Sequence, residues 1–244
     1  MAYFNDARAK IERANHHIAR LENRIELLQQ SDVSTIEINP KLGNEVIKHD
    51  IVDREGITKI ALIMGDAVDN LKCALDYAWV ETITKLTPHA LRNFAKFPAY
   101  PTEDALESAL RGHGIDQATD LFSRVMGDIK PYAIGNHAIW PIHRLDIRDK
   151  HRLLIPVILY SSVIGIETEE DGIISPGGFT LGTHQEPPWY INMRSGVHVK
   201  DKGKASFTIS FEYGDEVDES VFADTLHIYS QPILRIVETL ETLV

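Results

Sequence analysis

Apolar residues recur along this chain first with a period of seven, then with a helical period covering two faces, and late in the chain with a period of two. Phe4, Ile11, Ile18 and Ile25 share one heptad position and Ala7, Ala14, Leu21 and Leu28 the other, which predicts a helix over 4–30. About four heptads fit either a coiled-coil arm or one helix of a bundle, and the small alanines on this seam favour close packing against a neighbouring helix of the same bundle. His16 and His17 fall off the seam and point ~100° apart, so they read as solvated or half-buried residues, not as a metal pair.

The stretch from Ile57 to Leu86 has no proline. Advancing ~100° per residue, Ile57, Ile60, Met64, Ala67, Val68, Leu71, Ala74, Leu75, Ala78 and Trp79 fall on one broad face. Leu62, Ile63, Cys73 and Tyr77 lie opposite, interleaved with Asp66 and Asn70. This is the expected central helix, wrapped on two sides, and Asp66 and Asn70 need polar partners from elsewhere in the chain.

Between the two helices, SDVSTIEINP alternates as a strand does, and Pro40 to Asn44 turns the chain into EVIKHDIV, which predicts a hairpin. After the central helix, three prolines mark an extended connection, and Thr102 is placed to cap a helix whose first turn carries Glu103 and Asp104. Short helices are expected over 103–111 and 116–127, then a helix over 142–154 entered through Pro141. From 153 onward β-branched residues dominate: EEDGIISPGG reads as a turn or exposed loop, and WYINMRSGVHV and ASFTISFEYG as strands joined by a loop at Lys200 to Lys204. Phe222, Leu226, Tyr229, Ile233, Ile236, Val237, Leu240 and Leu243 return to helical spacing, with Pro232 expected to kink or split the helix. The expected fold is α+β, one domain over 1–244: a helical half (1–152) with an N-terminal β-hairpin insertion, a small antiparallel sheet (153–214) and a C-terminal helix (218–244).

Composition narrows the partners. A net charge of -11 repels nucleic acid and anionic membranes on average, so any RNA binding needs a local basic patch. The single cysteine, Cys73, cannot form an intramolecular disulfide and suits a reducing, cytoplasmic setting. No run of ~18 apolar residues predicts a membrane span, and the first residues do not read as a signal peptide. Neither HExxH, CxxC nor a Walker-type GxxxxGK[ST] occurs, so neither a metal nor a cofactor is expected. A metal set of His137, His143, Asp146 and His151 is disfavoured because His143 and His151 lie ~80° apart on a helix.

The candidate chemistry lies in IHRLDIRDKHRLL, residues 142–154. On a helical wheel Ile142, Leu145 and Leu153 define an apolar sector that includes Asp149, which then needs a cation such as Arg152 or Lys150. On the other side Arg144, Arg148 and His151 form a stripe in which two guanidinium groups would lower the imidazole pKa and leave a neutral general base beside an anion-stabilising site. An ion pair that fixes the helix, with a solvated Arg, Arg, His face, accounts for the same residues without chemistry. A polar cluster shared between Asp66 and Asn70 on one helix and Asp149 to Arg152 on the other would answer the needs of both.

These stretches resemble a group of bacterial proteins of similar length, without an assigned activity, that share a GD, NL, ALD helix (here GDAVDNLKCALDYAW, 65–79), then FP (97–98), then DKHR (149–152). More distantly, the spacing Arg144, six residues, His151 is similar to the Arg and His motif of HEPN helical domains, many of them metal-independent ribonucleases of toxin or phage-defence systems. That resemblance implies a homodimer acting on RNA, with His151 as general base on a ribose 2′-hydroxyl, Arg144 stabilising the phosphorane, and Arg148 and Lys150 holding phosphate. Leu145 after the Arg and the inserted sheet depart from that pattern. The competing expectation is a non-enzymatic dimeric regulatory or protein-interaction module.

Overall fold

The computed structural model describes residues 4–39, 41–51, 53–90, 94–151, 154, 156–183, 188–212, 220–222 and 226–244. Among these, the chain forms six α-helices and two antiparallel sheets, a mixed α+β architecture. Helix α1 (Asn5–Gln30) buries all eight residues of its heptad seam. It also buries His17, which the sequence placed in or near solvent; α1 is covered by more than one neighbour, so its buried stripe is wider than a two-position seam.

Helix α2 (Arg54–Leu86) is the central element. Its N-terminal cap, Asp53, accepts the Gly56 N–H at 2.7 Å through one oxygen and meets Arg24 of α1 at 2.5 Å through the other, tying both helices together at that end. Trp79 is fully buried, donates its indole N–H to the Phe94 carbonyl at 2.9 Å and takes the rings of Phe94 and Phe97 edge-on. Between α1 and α2, strands β1 (Asp32–Ile38) and β2 (Glu45–Ile51) form the expected hairpin.

Helix α3 (Glu103–Gly112) is capped by Thr102, which accepts the Ala105 N–H at 3.3 Å. The expected helix over 116–127 is instead a 3-10 turn (Ile115–Gln117), a short α4 (Thr119–Arg124) and a π turn (Val125–Ile129), entered through Gly114 at φ +72°. Helix α5 (Ile139–His151) takes Pro141 in its first turn, where its missing N–H costs no intrahelical bond.

The sheet region differs from the expectation in three places. Strand β3 (Pro156–Glu170) turns back through Asp171 and Gly172, both at positive φ, into β4 (Ile173–Thr183), so the stretch read as a loop is a hairpin strand. Strand β5 (Trp189–Asn192) pairs with β2, and β6 (His198–Glu212) continues through Lys200 to Lys204 beside β3, with a register shift opposite Glu167 and Thr168. The polar run read as a loop is a solvated strand: Lys200 pairs with Glu169, and Lys202 donates to the Ser34 carbonyl at 2.7 Å. Third, β7 (Ser220–Phe222) adds to β6, so Phe222 belongs to a strand. Helix α6 (His227–Glu241) begins after it and continues through Pro232 without splitting. It packs Ile233, Val237 and Leu240 into the core, and Arg8 of α1 grips Glu241 through both guanidinium nitrogens. No helix among the described residues is long and apolar enough to cross a membrane.

Candidate functional site

Two polar regions flank α2, one against α5 and one against α1. The first is built on a close approach. Gly65 of α2 lies so near α5 that a Cβ there would stand 2.6 Å from an Asp149 carboxylate oxygen. Asp149 accepts the Leu154 backbone N–H, and its pKa is raised by burial first, with Asp146, Asp66 and Asp69 adding to the effect. Among the described residues, the charges that act on it most are acids. The cation expected from Lys150 goes elsewhere, since Lys150 bonds Asp146 at 2.8 Å and lies 3.8 Å from Asp69. Arg152, the other expected partner, lies outside the described residues.

About two turns beyond Gly65 on α2, Lys72 is 4% exposed and paired with Asp76, whose same oxygen accepts the Phe97 N–H at 2.8 Å. A buried ammonium held this way is costly to separate from its partner. His143 of α5 is half-buried nearby, with a buried Nδ1 that finds no partner among the described residues. Burial first, then Lys72, pushes its pKa down to about 4.

The α5 stripe is more open. Arg144 and Arg148 are half-buried and His151, the last residue of the helix, is exposed. The Arg144 guanidinium lies 5.7 Å from the centroid of the Trp140 ring. Seven residues apart, Arg144 and His151 stand about two turns from each other on one side of α5. Among the described residues, no three His, Cys, Asp or Glu side chains converge as metal ligands would.

The second region is a groove between α1 and α2 with a volume of about 900 Å³, lined among others by Lys10, Arg13, His17, Asn70, Tyr77 and Glu81. Here lie the partners of the two polar residues that α2 carries on its second face. Asn70 accepts from Lys10 at 3.2 Å and donates to the Asp66 carbonyl at 2.7 Å, and Asp66 faces His17. So Asp66 and Asn70 find hydrogen-bonding and charged partners on α1, while Asp149 is seated against Gly65 on the α5 side.

Sequence reasoning passed over Lys72 and Asp76, considered His143 only in a disfavoured metal set, and read His17 as solvated or half-buried. Lys72 has a readable signal, a lysine inside the apolar sector of Val68, Leu71 and Leu75 with an acid four residues on. His17 has one too, standing three residues after Ala14 and four before Leu21. Comparisons with protein-family models, with curated proteins and with solved structures found no match, so the function is read from this geometry.

Proposed function

We propose that this protein works without catalysis, as a dimeric regulatory or interaction module whose α2–α5 polar cluster braces the fold. The observation that carries the reading is the use made of the polar residues of α5: Asp149 is seated against Gly65, Asp146 holds Lys150, and His143 is half-buried within the field of Lys72. Assembly into a dimer is supported by β1, an edge strand that exposes Ile36 and Ile38, with Leu42 exposed in the following turn. Lys202 occupies the Ser34 carbonyl, and beyond it the exposed apolar part of this edge is a template for a second chain.

The ribonuclease reading has one observation in its favour: Arg144 and His151 share a side of α5, and His151 is open to a substrate or to a facing second copy. The two readings separate in one assay. Purified protein is incubated with several RNAs in EDTA beside His151→Ala and Arg144→Ala, both checked for an unchanged melting temperature. The module reading expects no cleavage by the wild type and a dimer by light scattering. Cleavage that both stable variants lose would replace it with the nuclease.

A further inference from the structure

We propose that the groove between α1 and α2 binds a hydroxylated organic phosphate, of the sugar phosphate or nucleoside phosphate class, with Arg13 and Lys10 holding the phosphate and a hydroxyl bridging His17 and Asp66. This goes beyond the module reading by giving the module a ligand.

The argument starts from the tautomer of His17, which is 3% exposed. Its Nε2 takes a hydrogen bond from the Arg13 Nε–H at 3.0 Å. A guanidinium only donates, so Nε2 carries no proton and the neutral ring holds its proton on Nδ1. That Nδ1 is buried without a partner among the described residues. The nearest carboxylate oxygen, on Asp66, is 3.7 Å away, too far for a hydrogen bond. A group between them must accept from an N–H and donate to a carboxylate. A hydroxyl does both, whereas a phosphate oxygen would be repelled by Asp66 and an ammonium cannot accept.

The anion has its own place. The terminal nitrogens of Arg13 pair with no described residue, and the side chain is exposed on the groove wall. Lys10 is fixed by Asn70 at 3.2 Å with its ammonium 5.9 Å from the centroid of the Tyr77 ring, so a second cation is already positioned. Asp6, Asp66 and Glu81 line the same groove, so the phosphate belongs at the Arg13 and Lys10 wall and the hydroxyls face the carboxylates. Tyr77 is 44% exposed and offers an aromatic face to a sugar or base. At the far end Glu81 keeps a buried oxygen without a partner among the described residues, an acceptor for further hydroxyls. A volume of about 900 Å³ suits a ligand of this size. A water between His17 and Asp66 would satisfy that pair alone and leave Arg13 and Glu81 unexplained.

The test is calorimetric titration of the full chain with ribose 5-phosphate, glucose 6-phosphate and adenosine monophosphate, with free ribose and inorganic phosphate alongside. At least one ester is expected to bind, and both free fragments at least about tenfold more weakly. The three esters tell the sugar source from the nucleoside source. Asp66→Asn changes an exposed side chain that makes no hydrogen bond to His17, so it should keep the wild-type melting temperature while losing about ten- to hundredfold in affinity. Arg13→Gln also removes the donor to the buried His17 Nε2, so it should melt somewhat lower, stay folded at the titration temperature, and lose affinity by a similar factor. The Nδ1 proton of His17, followed by NMR, should shift on addition of the ester. Binding of no ester, equal binding of inorganic phosphate, or wild-type affinity in both variants would overturn the proposal. None of these results depends on RNA cleavage or on the dimer, so this proposal and the module reading fail separately.

Discussion

His143 makes the α2–α5 brace sensitive to acid. Burial first, then Lys72, lowers its pKa from the ordinary 6.5 to about 4; Asp76 pulls the other way, and Arg144 and Lys150 add to the lowering. Because the folded-state value lies below the unfolded one, the unfolded chain takes up the proton first as pH falls. The contribution is complete above about 6.5 and is lost as pH falls through the window down to about 4. With those values, a change from about pH 7.5 to about pH 5 removes about 2 kcal/mol, a sizeable share of the ~5–15 kcal/mol that holds a domain folded. His143→Gln removes the titration and keeps a neutral polar side chain. Urea unfolding of both proteins at the two pH values should show the wild type losing about 2 kcal/mol more than the variant. Asp146 and Asp149, whose pKa values burial raises, gain stability in the opposite direction, and His17 and His49, lowered by burial, lose it. All four are present in both proteins and largely cancel in the comparison. Equal acid sensitivity of wild type and variant would refute the account, as would an NMR titration in which His143 protonates near its ordinary value.

Two further substitutions probe the same brace. Gly65→Ala should cost about 1–3 kcal/mol, because the new methyl group meets the Asp149 carboxylate at a distance no Cβ tolerates. Adding Asp149→Ala should return part of that loss, a coupling that a double-mutant cycle of urea midpoints would read and that strictly additive losses would exclude. Asp76→Ala leaves the Lys72 ammonium buried without its acid and the Phe97 N–H without its acceptor, and should cost about 3–5 kcal/mol. A melting temperature within a few degrees of the wild type would show that Lys72 finds another partner.

How far the sequence could be read depended on whether one neighbour or several covered an element. The heptad of α1 named all eight of its core positions because that seam faces α2 directly, but it missed His17, since a helix packed by several elements buries a stripe wider than the seam. The two-sided face of α2 was legible, and so was the need of Asp66 and Asn70 for partners; the identity of those partners was not, because spacing along one helix says nothing about which wall of a bundle it meets. Sheet boundaries failed for a different reason. Residues 200–204 carry charge because both faces of that strand end are solvated, and a solvated strand has the composition of a loop. The Asp171–Gly172 hairpin was hidden by the same ambiguity in reverse, with exposed Ile173 and Ile174 lying beyond the turn.

The dense motif of this chain, GD with NL and ALD on α2, then FP, then DKHR, draws attention as chemistry because so many ionisable residues stand together. The geometry offers a different reason for that density. Gly65 is the space that Asp149 occupies, and Asp76 is the acceptor that Phe97 needs and the counter-ion that Lys72 requires. Each residue has its type because another, whether four residues on as Asp76 is to Lys72 or far away as Asp149 is to Gly65, has its own, and a buried charge with one partner removed is worse than none. A set matched in this way changes together or not at all, whether or not it touches a substrate. Lys10, Arg13 and His17 stand under no such demand from the core: two of them are aimed at a groove, and the third keeps a buried N–H with no acceptor among the described residues. Polar groups satisfied within the fold are explained by the fold. Those left unsatisfied beside an open cavity point to a ligand, which is why the search for one belongs on α1 more than on the motif.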